Sequence, residues 1–143
     1  MIKPGRWEEF DTTADTGLEV WANSYIELLI TAAMAFTEMT TDPKTLTEYG
    51  WRKEEMDIEG DVDEMFREFL DFFLFRLDTE SILPVSIKNL VIYPGHGVEA
   101  EVEYHEWTHE KSESRTEIKA VTWHMLKVEK KYDQWYGRVV FDI

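Results

Sequence analysis

Gly97-Val98-Glu99-Ala100-Glu101-Val102-Glu103-Tyr104-His105 sets Val98, Ala100, Val102 and Tyr104 in strict alternation with Glu99, Glu101, Glu103 and His105. Successive strand side chains point to opposite faces of a sheet, so this period of two spells a strand with one dry face and one wet face. The dry face needs a cover, and the sequence upstream supplies one. Asp61 and Asp63 can cap a run in which Met65, Phe66, Phe69, Leu70, Phe73 and Leu77 form an apolar face, widened by Phe72 and Phe75. Earlier still, Ser24 and Glu27 have capping-box spacing. Leu29, Ala32, Ala33, Phe36 and Met39 then share one helical face until Thr40-Thr41-Asp42-Pro43 stops the pattern. Downstream, Ile118–Val128 and Trp135–Phe141 are β-branched and aromatic runs separated by the polar turn Glu129–Asp133, which predicts a closing hairpin. Weaker strand signals lie at Gly17–Trp21, Tyr49–Ile58 and Ile87–Tyr93. Two amphipathic helices with hairpin-connected strands predict an α+β fold, the helices packed on one side of a mainly antiparallel or mixed sheet.

At 143 residues with no linker, repeat or low-complexity stretch, the chain reads as one domain spanning 1–143. Thirty acidic against fifteen basic residues give a formal net charge of −15. Such a field repels the phosphates that carry most nucleic-acid affinity and steers the protein toward a basic partner or a cation. Any RNA contact is therefore expected to be indirect. No cysteine is present, which excludes disulfides, thiolate catalysis and cysteine-bound zinc. Met1–Arg6 carries no apolar run behind its positive charges, and no segment approaches a membrane span, so a cytoplasmic location is expected.

His105-Glu106-Trp107-Thr108-His109 is a literal H-E-x-x-H, the signature of a zinc hydrolase with Glu106 as general base. That chemistry needs a helix, because only there do residues i and i+4 share a side. The alternation leading into His105 predicts a strand, on which the two rings would stand roughly 13 Å apart. A second constellation is dispersed: Asp15 before a glycine turn, Asp42 at the end of the first helix, and Asp142 beside the terminal carboxylate of Ile143. Clustered carboxylates are hard oxygen donors suited to calcium or magnesium. On spacing alone, Asp15 and Asp42 equally read as turn and cap residues. Within Thr116–His124, alternation places Lys119 with Val121 and Trp123, where its stem can lie over the indole. It places His124 with Ile118, Ala120 and Leu126 as a core histidine.

Thr13-Ala14-Asp15-Thr16-Gly17, Met39-Thr40-Thr41-Asp42, Thr116–His124 and the terminal Val139-Val140-Phe141-Asp142-Ile143, in that order and spacing, resemble the archease family. The resemblance covers nearly the whole chain. It implies an α+β fold and a non-catalytic partner of an RtcB-type RNA ligase in tRNA splicing, one that promotes the ligase's GTP- and metal-dependent guanylylation and its multiple turnover. It further implies a divalent metal (Ca2+, or Mg2+/Mn2+) and no organic cofactor. Asp15, Asp142 and the Ile143 carboxylate would bind the metal, Asp42 would be a less direct addition, and Lys119 would be a further functional position. The family pattern has a histidine where this chain has Thr12, and Trp107–Arg115 departs from it as well. The alternatives are a chaperone-like adaptor of another tRNA-processing enzyme, such as a tRNA methyltransferase, and the zinc hydrolase built on His105, Glu106 and His109.

Overall fold

The computed structural model describes residues 5–143; the reading of the amino terminus falls largely on residues 1–4, outside the described residues. Eight strands and two α-helices follow one another as β1 (Arg6–Asp11), β2 (Thr16–Ala22), α1 (Tyr25–Thr40), β3 (Thr47–Met56), α2 (Val62–Glu80), β4 (Ile82–Tyr93), β5 (Gly97–Glu106), β6 (Ala120–Val121), β7 (Lys127–Lys131) and β8 (Gln134–Asp142). The architecture is α+β and every strand pair is antiparallel. Where one sheet was expected there are two. The order β1-β2-β8-β6, with β7 also on β8, makes one, and β3-β5-β4 makes the other.

The helices lie between the sheets. Phe36 of α1 packs on Phe141 of β8, while Thr37 of the same helix donates to the Pro84 carbonyl of β4 at 2.6 Å. Likewise α2 sets Phe66 against Gly137 of β8 and Phe73 against Tyr104 of β5. One continuous apolar core thus joins both sheets to both helices, which is why the dry face of β5 found its cover in α2.

The caps follow the sequence reading. Ser24 Oγ accepts from the Glu27 amide, and Asp61 accepts from that of Glu64. Glu27 reaches back to the Asn23 amide rather than to that of Ser24. Asp63 is not a cap: its carboxylate accepts from the Val128 amide at 2.6 Å and ties β7 to the start of α2. Phe75, read as widening the apolar face, is 57% exposed because it sits two residues from the buried Phe73 and so on the opposite side of α2.

The expected strand Ile118–Val128 is broken. Only Ala120–Val121 pairs with β8, the chain then turns through Met125 at φ 56°, and β7 starts at Lys127. The hairpin turn is correspondingly shorter than expected, just Tyr132-Asp133, with Lys131 facing Gln134. Two expectations fail with that strand. His124 is exposed in the turn rather than buried, and the Trp123 ring is covered by the Arg67 guanidinium at 4.3 Å rather than by Lys119. Among the described residues no helix is long and apolar enough to cross a membrane.

Candidate functional site

The register between β2 and β8 decides which dispersed residues meet. Thr16 pairs with Phe141, Leu18 with Val139 and Val20 with Gly137, and these pairs face the helices. Gly17–Val140, Glu19–Arg138 and Trp21–Tyr136 face the other way. Asp15 immediately precedes β2 and Asp142 ends β8, so the two aspartates, 127 positions apart in sequence, flank the Thr16–Phe141 pair at one end of the larger sheet. Asp142 is exposed and Ile143 is 43% exposed. Like charges held close together repel, so a cation bound between two such carboxylates would relieve them.

Local backbone ties fix this end. Thr12 Oγ1 accepts from the Asp15 amide at 3.1 Å, and the Thr12 amide donates to the Asp15 carbonyl at 3.1 Å, closing the β1–β2 turn from both sides. The residue standing where the family pattern has histidine is thus the one that holds the Asp15 main chain. Gly17 lets the Phe10 ring lie flat across the strand, for a Cβ there would fall inside that ring. On the other flank the Lys119 amide donates to the Asp142 carbonyl at 2.7 Å and Ala120 pairs with Asp142, so the exposed Lys119 adjoins the Asp142 main chain.

Asp42 stays apart. Its Oδ1 accepts from the Lys44 amide at 3.0 Å as the cap of a short 3-10 turn, Pro43–Thr45, which is the cap role that its spacing allowed. The segment 113–116 closes over this end of α1. The Arg115 and Thr116 amides donate to the carbonyls of Thr40 and Met39, and Thr41 Oγ1 donates to that of Glu113 at 2.6 Å.

His105 and His109 do not form a zinc site. His105 lies in β5 and His109 in the turn after it, so the helical frame that would bring their rings to one side is missing. Among the described residues no three His, Asp or Glu side chains converge to hold a metal ion. The pair Asp15 and Asp142 therefore provides two side-chain carboxylates only. As hard oxygen donors they suit a divalent cation of the calcium or magnesium kind, but they would leave much of its six- to eightfold shell to the chain end, to backbone and to groups from outside.

The fold and the sequence match one family. The model of the archease protein family matches residues 7–143. The chain belongs to the archease family. It is 31% identical over 142 residues to an archease of Methanopyrus kandleri, an alignment covering 96% of this chain and 99% of that protein. Archeases of Pyrococcus abyssi (28% identical over 142 residues) and Methanothermobacter thermautotrophicus (31% over 138 residues) match 96% of this chain and 99% and 98% of their own lengths. Among solved structures, the solution structure of Methanobacterium thermoautotrophicum protein 1598 superposes with a TM-score of 0.78 at 30% identity, covering 96% of this chain and 98% of that one. For this archease the sequence reading had Asp15, Asp142, Ile143 and Lys119 as candidates; Asp15 precedes β2, Asp142 ends β8, and the Lys119 amide bonds the Asp142 carbonyl. What it missed is Thr12 as the residue fixing the Asp15 main chain. A Thr three residues ahead of an Asp is a local hydrogen-bonding signal that was available.

Proposed function

We propose that this archease is a non-catalytic accessory protein of an RtcB-type RNA ligase, promoting the ligase's GTP- and metal-dependent guanylylation and so its multiple turnover in tRNA splicing and RNA repair. The observation that supports this most is membership of the archease family over residues 7–143, and with it Asp15 and Asp142 flank the Thr16–Phe141 pair, with the Lys119 amide on the Asp142 carbonyl. The chain's net charge of −15 fits a protein partner with basic surface better than direct contact with RNA.

In this reading Asp15, Asp142 and the terminal carboxylate of Ile143 hold a divalent cation. Such an ion neutralises charge developing on phosphoryl oxygens during nucleotidyl transfer. The protein's own part is to position. Thr12 would hold the Asp15 main chain, the β8 pairing would hold that of Asp142, and Lys119 would add a positive charge at this end. With only two side-chain carboxylates, Asp15 and Asp142 would leave the rest of the ion's oxygen ligands to come from the chain end and from outside this protein.

The test is multiple-turnover ligation by the cognate ligase with and without this protein. Stimulation of turnover, with faster formation of the guanylylated ligase, is expected. A ligase that turns over equally well without it sinks the proposal.

A further inference from the structure

A groove of ≈ 620 Å3 opens between the last turn of α2, the end of α1 and the segment 114–119, beside the aspartate pair. Its floor is apolar: Ile118 is buried, and Leu77 and Trp107 are half-buried. Its rim carries Asp78 and Glu117, both exposed.

The electrostatics of that rim are lopsided. The last turn of α2 holds Asp78 and Glu80 but no basic residue, so both acids sit at the negative end of a 19-residue helix. Glu80 is relieved by Arg52 at 2.6 Å and by Arg76 at 3.5 Å. Among the described residues Asp78 and Glu117 have no such ion pair, and Arg115, which also lines the groove, is bound to the Glu38 carbonyl (2.9 Å) and the Glu113 carboxylate (3.5 Å). Lys119, at the mouth, borders Asp142. Partial burial, with the carboxylates of Asp71 and Glu117 close by, holds Asp78 above the ordinary carboxylate value.

We infer that this groove receives an arginine or lysine side chain from a basic segment of the partner protein, its stem on Leu77, Ile118 and Trp107 and its charged head on Asp78 and Glu117. Long cationic side chains combine these needs: they bury their methylenes on apolar surface and bring the charge to acceptors at the rim. Arginine adds stacking on an indole such as that of Trp107. The groove and the aspartate pair lie at the same end of the molecule, so docking here would present Asp15 and Asp142 to the same partner.

This inference rests on the ligase-partner reading, and the experiment separates the two. Binding of the full chain to the cognate ligase is measured by interferometry for wild type, for Asp78→Asn/Glu117→Gln, and for the control Glu55→Gln/Glu59→Gln. The control removes the same charge from exposed positions at the far end of the smaller sheet. Because removing one partner of a desolvated charge pair is costly, the groove variant should bind at least about thirtyfold more weakly, and the control within about threefold of wild type. Calcium affinity of the groove variant should equal that of wild type, showing that the aspartate pair is intact. Wild type that fails to bind the ligase overturns both readings. Wild type that binds while the groove variant matches the control overturns this one alone.

Discussion

Glu54→Ala probes the join between α2 and the smaller sheet. Glu54 is a buried carboxylate, 5% exposed, in the last part of β3. It accepts from Arg76 Nε at 2.8 Å and Arg76 Nη2 at 3.1 Å, and from the Tyr104 hydroxyl at 2.5 Å. Removing it leaves a phenol and a guanidinium without their acceptor. Breaking a buried pair from one side typically costs about 3–5 kcal/mol, and the lower end applies here, because Arg76 keeps some solvent access and can close on Glu80, 3.5 Å away. At about 3 °C per kcal/mol for a chain of this size, the melting temperature should fall by roughly 10 °C. Replacing the pair together, Glu54→Leu with Arg76→Met, removes the stranded charge and should recover most of that loss. Thermal melts by circular dichroism with urea midpoints measure both. A single-variant cost below about 1 kcal/mol, the range of an exposed ion pair, would refute the view that this cluster clamps the helix to the sheet.

Gly17→Ala should destabilise by about 1–3 kcal/mol, because its Cβ must displace the Phe10 ring from β2, and Phe10→Ala in the same chain should restore part of the loss, as urea midpoints will show. Alkaline stability depends on tyrosines: burial chiefly, together with neighbouring carboxylates, holds Tyr25, Tyr104 and Tyr136 above the ordinary phenol value of 10.0, Tyr136 at about 12. The folded protein thus keeps protons that the unfolded chain releases from pH 10 upward. Their contribution is complete below pH 10 and lost as pH rises through the folded values, so urea midpoints should drop past pH 10 and Tyr104→Phe should flatten that drop. A C-terminal extension that converts the Ile143 carboxylate to an amide should weaken calcium binding and ligase activation more than an N-terminal extension does, as calorimetry and ligation assays can compare; equal behaviour would reduce the site to Asp15 and Asp142.

Much of the fold was legible because its signals were local. The alternation in β5, the caps at Ser24 and Asp61 and the apolar stripes of both helices need only neighbouring residues to be read. The elements that eluded the sequence are those whose pairing is decided elsewhere. β1, Arg-Trp-Glu-Glu-Phe-Asp, is a mostly polar edge strand with no clean alternation, held by its partner β2. The run 118–128 looks like one strand by composition. It breaks after Val121 because Thr122 bonds the Val140 carbonyl through both its amide and its hydroxyl, and the chain turns there. The split into two sheets follows from helices that pack on both sides, which no periodicity reports. For the site, composition alone favoured turn and cap roles. That reading proved right for Asp42, the cap of a 3-10 turn, and for Asp15, which closes the β1–β2 turn; that Asp15 and Asp142 flank the same β2–β8 pair depends on a register spanning the length of the chain.

Formation of the guanylylated ligase from labelled GTP, followed with wild type and with Asp142→Asn, tests the central claim most directly. Asp142 is exposed at a strand end and its main chain, not its carboxylate, makes the sheet contacts, so the variant should fold normally. The account predicts that wild type accelerates guanylylation and that Asp142→Asn loses at least about tenfold of that acceleration, the cost of one charge-assisted contact, while still binding the ligase. An Asp142→Asn protein that stimulates as well as wild type would contradict it.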